Sequence, residues 1–154
     1  MRTLDHLALY IATLGPIGRL PRMPGTWGSL FAAFIAPWAF VPFGWTIRLA
    51  ILAALFILGT WAAHQAERIL EQHDPPSVVI DELVGQWITL LPLVDPATPW
   101  EVLTGLALFR LFDMIKPWPI SILDRLVPGG PGAMLDDAAA GVAAGAVLYL
   151  VLLF

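Results

Sequence analysis

The 154-residue sequence contains no cysteine, which excludes disulfides, thiolate metal sites and cysteine nucleophiles. Charge is scarce too: Asp, Glu, Lys and Arg make up 13% of the chain, about half the ~25% of an ordinary soluble domain. The basic sign is the scarcer one, 8 residues against 12 acidic, so a nucleic-acid partner is not expected. What fills the chain instead is apolar. A hydrophobic share of 58% and a mean hydropathy of +0.78 exclude disorder and leave too few charges to solvate a globule of this size. The expectation is an all-α, multihelical integral membrane domain formed by residues 1–154 as a single unit.

The charge-free runs predict its organisation. Met23–Ile47 has 25 residues without Asp, Glu, Lys, Arg or His, Leu49–Ala63 has 15, and Ala138–Phe154 has 17. A helix needs about 20 mainly apolar residues to cross a bilayer. The first run is long enough, although Pro37 and Pro42 should kink it or end it early. The second spans if it continues through His64 and Gln65, and the last if it starts near the interface. Leu83–Val94 and Val102–Ile115 are shorter, and are expected to dip into the bilayer, cross a thinned region or rest on the other helices. Residues 1–18, with Asp5 and His6, read as an interfacial helix and make a poor signal peptide. Gly141 and Gly145 predict close helix packing, and Trp27, Trp45 and Trp100 read as interface anchors.

Counting crossings places Thr26, Asp81, Glu82, Asp113, Asp136 and Asp137 on one side of the membrane. Arg19, Arg22, Arg68, Arg110, Lys116 and Arg125 fall with them, and Arg2 and Arg48 opposite, so the positive-inside rule makes the acidic side cytoplasmic. Carboxylates gathered there are costly unless a cation neutralises them. With no cysteine and only 3 histidines, the suitable cation is a hard one bound through oxygen: Mg²⁺, Mn²⁺ or Ca²⁺. A Mg²⁺ site with open water positions suits phosphate chemistry. Arg110 and Lys116 flank Asp113 at helical spacing, which sets two phosphate-binding cations beside an acid.

Each element also has a plainer explanation. An acidic pair such as Asp81-Glu82 or Asp136-Asp137 can be a helix first turn favoured by the macrodipole. Pro24-Gly25-Thr26 can be a turn with a threonine cap, Gly28 and Ser29 a weak backbone anion site, and Arg110 and Lys116 can snorkel. His64 reads as a packed core histidine, His73-Asp74 as loop and Asp124-Arg125 as a surface pair. Glu67, Glu71, Asp95 and Glu101 carry no signal. It is the coincidence of three acidic sites on one side that the plainer explanation leaves unaccounted for.

Five blocks in order, Pro24-Gly25-Thr26-Trp27-Gly28-Ser29, His73-Asp74-Pro75, Val79-Ile80-Asp81-Glu82-Leu83-Val84-Gly85, Phe109 to Pro119 and Gly132 to Gly141, together resemble the phosphatidylglycerophosphatase A family. The last two are the most specific. The resemblance covers the chain from about residue 15 onward. Met23 departs from the small residue that many members carry there.

The resemblance implies a bacterial inner-membrane, Mg²⁺-dependent hydrolase with a multihelical fold and its active site at the cytoplasmic face. It would convert phosphatidylglycerophosphate to phosphatidylglycerol and phosphate. Asp81, Glu82, Asp113, Asp136 and Asp137 would be metal ligands or the catalytic base. Lys116 would act in catalysis, and Thr26, Arg110 and Lys116, with Gly25 and Ser29 from the same opening motif, would bind the substrate phosphate. Beyond the phospholipid and the bilayer, no protein partner is expected. Attack by a metal-activated water is the preferred route, since there is no cysteine and no Asp-x-Asp pair. The alternative is a transporter or channel for a divalent cation or protons. It is weakened by acids lying at one face and by the lack of an inverted repeat. A phosphatidyl-group transferase lacks support because no Asp-x-x-Asp-Gly arrangement occurs.

Overall fold

Proline and glycine punctuate the apolar runs, and the helices begin and end where they stand. The computed structural model describes residues 3–154, with residues 123–125 by backbone alone. Seven α-helices follow one another, and no strand occurs among the described residues, in agreement with the all-α expectation. They are α1 (Thr3–Ala12), α2 (Pro24–Ala39), α3 (Trp45–Leu70), α4 (Ile80–Thr89), α5 (Pro99–Ile115), α6 (Ile120–Leu126) and α7 (Gly130–Val151), with a 3₁₀ turn at Ile17–Arg19.

The first charge-free run is divided between two helices. Pro24 opens α2 at a position where its missing N–H has no role, and α2 stops at Ala39, before Pro42. Its 16 residues cover about 24 Å, less than a full span, and the rest of the run opens α3. At 26 and 22 residues, α3 and α7 are long and apolar enough to cross a membrane. The start of α5 lies earlier than its apolar run suggests. Thr98 and Glu101 form a capping box there, with Thr98 N–H donating to Glu101 Oε2 at 2.6 Å and Glu101 N–H to Thr98 Oγ1 at 3.3 Å. Thus Glu101, silent in the sequence, fixes a helix start. Lys116 takes a left-handed conformation at the other end, φ 44°, and Pro117 prevents continuation.

Short α4 is the hub, buried along nearly its whole length and packed on α2, α3, α5 and α7. Its approach to α7 requires glycine on both sides. A Cβ added to Gly85 would lie 2.7 Å from the Asp137 carbonyl oxygen, and one on Gly141 would lie 2.4 Å from the Gly85 carbonyl oxygen. Gly145 faces the backbone of Ile88 and Thr89, so the expected glycine packing seam is present and its partner is α4. Trp87 ties α4 to α2 by donating to the Ala32 carbonyl at 2.9 Å and stacking on Phe40, ring centroids 4.9 Å apart.

Arg48 is buried, 5% exposed, at the end of the bundle where α2 and α4 terminate. Its guanidinium donates to the carbonyls of Phe43 (2.7 Å), Leu91 (3.1 Å), Leu93 (2.7 Å) and Val41. These are carbonyls beyond the last helical turns, and the arginine satisfies them together. Outward-facing positions are conspicuously apolar: Phe34 and Trp38 on α2 and Ile57 on α3 are each about 70% exposed.

Candidate active site

At the opposite end, the starts of α2, α4 and α7 and the end of α5 surround a cavity of about 560 Å³. Helix N-termini present unpaired N–H groups and a positive dipole end, an environment that favours anions. Asp81, Glu82, Asp113, Asp136 and Asp137 all line the cavity, with Arg110 and Lys116. The acids expected on one side are therefore brought to one site.

Within that group the structure separates two sets. Asp81 and Glu82 from α4 and Asp137 from α7 form a cluster in which one oxygen of each lies within 4.8 Å of the others. Glu82 Oε2 is buried without a hydrogen-bond partner among the described residues. Burial pushes the Asp81 carboxyl above its ordinary range, and pushes Glu82 well above, with the neighbouring Asp81 and Asp137 adding to the effect. An orphaned oxygen in a cluster made only of carboxylates fits a hard divalent cation, which would satisfy it and keep the acids ionised.

Asp113 and Asp136 are each engaged with a cation. Arg110 donates to Asp113 Oδ2 at 2.6 Å across one helical turn, and Lys116 pairs with Asp136. Arg110 is further held by Thr26 Oγ1 at 3.3 Å and Ser29 Oγ at 3.4 Å, so the guanidinium is aimed from both α2 and α5. Asp113 also stands close to Asp137, linking the two sets.

Gly25 lines the cavity, and a Cβ there would lie 2.0 Å from Glu82 Oε1. The carboxylate occupies the space that glycine leaves. Thr26 reaches the cavity through Arg110. Ser29 is fully buried, and besides Arg110 it bonds the Gly25 carbonyl at 2.9 Å, so it supports the arginine from behind. Gly28 packs on Val79, inside the fold rather than at an anion site. Arg2 lies outside the described residues, and the side chains of Asp124 and Arg125 are likewise outside them.

Three residues without an expected role stand at the rim or directly behind it. His73 and Asp74, read as loop, line the cavity, and Glu67 lies behind them, 3.2 Å from His73. The His73-Asp74-Pro75 block was the available signal. Glu67 had none, because two of its partners are the backbone N–H groups of Asp74 and Gly130. Gln86, one turn beyond Glu82, is fully buried and its carboxamide makes no hydrogen bond among the described residues.

The sequence matches the phosphatidylglycerophosphatase A family over residues 10–152. It is 40% identical to phosphatidylglycerophosphatase A of Escherichia coli K12 over 136 residues, covering 87% of this chain and 77% of that one. The Haemophilus influenzae Rd protein of the same name is 35% identical over 135 residues, 87% of this chain and 82% of the relative. A Bacteroides thetaiotaomicron protein, provisionally named a phosphatidylinositol-3-phosphatase, is 40% identical over 149 residues, 92% of this chain and 91% of its own. No solved structure matches the chain. The chain belongs to the phosphatidylglycerophosphatase A family.

Proposed function

We propose that this member of the family is a Mg²⁺-dependent hydrolase of the bacterial inner membrane, which removes the terminal phosphate of phosphatidylglycerophosphate to leave phosphatidylglycerol. The observation that carries the proposal is the cluster of Asp81, Glu82 and Asp137, which shares its cavity with Arg110 and Lys116. Carboxylates alone would repel a phosphomonoester. Carboxylates that hold a divalent cation, beside two fixed basic groups, attract one.

In this reading residues 1–154 act as one membrane-embedded domain, with residues 1–18 on the interface. The apolar lengths of α3 and α7 and the exposed aromatic face of α2 support embedding. Basic residues at the pocket end, Arg110 and Lys116, with Arg68 in the last turn of α3, support a cytoplasmic orientation. Acyl chains would stay in the leaflet while the headgroup enters among the helix ends.

Asp81, Glu82 and Asp137 would hold the Mg²⁺, with Asp113 and Asp136 at its margin. When bound, the cation supplies neutralisation of phosphoryl charge and makes a water acidic enough to serve as nucleophile. Arg110, its fork fixed by Asp113, Thr26 and Ser29, would bind two phosphoryl oxygens in a set orientation. Lys116, held by Asp136, would meet the charge that grows as the ester bond breaks. The water oxygen joins phosphorus, the bond to the glycerol oxygen breaks, and that oxygen leaves with a proton.

Phosphate release from phosphatidylglycerophosphate in detergent, with Mg²⁺ or EDTA, tests this directly. Release should require Mg²⁺ and should fall about 100-fold or more in Asp137→Asn. A folded protein that is inactive with Mg²⁺, or an Asp137→Asn variant of normal turnover, would refute it. Phosphatidylinositol 3-phosphate belongs beside the first substrate, because of the name carried by the Bacteroides relative. Faster release from that lipid would move the substrate assignment while leaving the chemistry.

A further inference from the structure

The N-cap of α7 is Gly129, which has no side chain with which to satisfy the helix's first N–H groups. A residue of another helix takes that part. Glu67, in the last turn of α3, has only 15% of its side chain exposed. Its Oε2 accepts from the Gly130 N–H at 3.1 Å. Its Oε1 accepts from the Asp74 N–H at 3.0 Å and lies 3.2 Å from His73 Nδ1. Gly129 makes room for this contact: its φ is +77°, and an added Cβ would lie 2.6 Å from Glu67 Oε2. His73, Asp74 and Gly129 all line the cavity, and α7 carries Asp136 and Asp137 less than two turns further on.

We propose that Glu67 is a positioning residue of the phosphate pocket: one carboxylate that clasps the His73–Asp74 wall to the start of α7 and so sets the width of the substrate entrance. This rests on the phosphatase activity proposed for the pocket. Because Glu67 stands outside the acid cluster, its removal loosens substrate binding more than turnover.

The test uses the full chain in detergent as Glu67→Gln and Glu67→Ala. Glutamine keeps the size but has a single acceptor oxygen, so it can serve only one of the two walls. Hydrogen–deuterium exchange should rise across residues 72–79 and 129–134 in the alanine variant, and mainly in one of these in the glutamine variant. KM for phosphatidylglycerophosphate should rise about tenfold in Glu67→Ala, the weight of one charge-assisted hydrogen bond, with kcat within about twofold of wild type. Wild-type exchange in both segments overturns the clasp. So does raised exchange with KM unchanged and kcat falling in step with melting temperature, the mark of a purely structural role. If the unaltered protein releases no phosphate, the substrate reading fails, and the exchange comparison still decides whether Glu67 joins the two walls.

Discussion

Replacing Gly25 by alanine separates the site from the fold. Gly25 lies in the first turn of α2, where its backbone is helical, and an alanine there relieves the unfolded chain of some freedom, worth about 0.4–1 kcal/mol of stability. The new Cβ would stand 2.0 Å from Glu82 Oε1, whereas real Cβ atoms keep at least 3.0 Å from neighbours. The glutamate carboxylate must therefore retreat by about 1 Å, and unlike a backbone group it has rotatable bonds with which to do so. Metal sites tolerate ligand displacements of only about 0.2 Å, and a misplacement of 1 Å in a catalytic group costs about 100-fold in rate. Gly25→Ala should then melt at or above the wild-type temperature, need at least about tenfold more Mg²⁺ for half-maximal activity, and lose about 100-fold in turnover at saturating metal. Thermal denaturation in detergent and a Mg²⁺ titration of phosphate release measure both halves. A variant with unchanged Mg²⁺ dependence and turnover would refute the placement of Glu82 at a metal site. One that is inactive because it is unfolded would refute the claim that the strain falls on a side chain.

Gly85→Ala makes the contrasting case: its Cβ would meet the ring of Phe109 at 2.5 Å and the Asp137 carbonyl oxygen at 2.7 Å, and a backbone atom cannot swing away. It should destabilise by about 1–3 kcal/mol, read by thermal or denaturant unfolding. Arg48→Met leaves the carbonyls of Val41, Phe43, Leu91 and Leu93 without their shared donor, and should destabilise by about 3 kcal/mol or more while the folded fraction keeps its Mg²⁺ dependence. Arg110→Lys keeps the charge but loses the planar fork that contacts Thr26, Ser29 and Asp113, so kcat/KM should fall about tenfold to 100-fold in steady-state assays. Mg²⁺ should raise the melting temperature of the unaltered protein by mass action, about 2.7 kcal/mol at 100 times its dissociation constant, and Asp137→Asn should abolish most of that shift.

What the sequence made legible was local. Charge-free runs mark helices because a long apolar segment can satisfy its backbone only internally, and α3 and α7 each contain most or all of one such run while starting several residues before it. Boundaries that depend on a cap or a proline were partly legible. Pro117 ends α5 and the Met23–Ile47 run ends early, before Pro42, both as expected, whereas the Thr98–Glu101 capping box lies ahead of the apolar run and moves the start of α5 back. Close packing at Gly141 and Gly145 was legible, but that its partner is α4 was not. Its ten residues resemble a shallow segment, yet Gly85 and Gly141, 56 positions apart, meet backbone to backbone and make it the hub. That pairing is long-range, and no single run of residues contains it.

The site divides in the same way. All five acids were readable as one group because α2 to α5 run alternately away from and back to the pocket end, while short α6 has both its flanks at that end. Their arrangement into two sets was not readable. Asp113 and Asp136 are as acidic in sequence as Asp81 and Asp137, but each has a basic side chain within reach: Arg110 one turn back on α5, and Lys116 at the cap of the same helix. Each of these two acids is paired with a cation, which leaves Asp81, Glu82 and Asp137 as the set that could hold a metal. Binding and activity should therefore respond differently to the two sets. Asp137→Asn should weaken Mn²⁺ binding, followed by electron paramagnetic resonance of the free ion, whereas Asp136→Asn should lower turnover with Mn²⁺ affinity within about threefold of wild type, since it weakens the hold on Lys116 and removes no member of the cluster. Equal loss of Mn²⁺ affinity in both variants would place Asp136 among the ligands and dissolve the distinction.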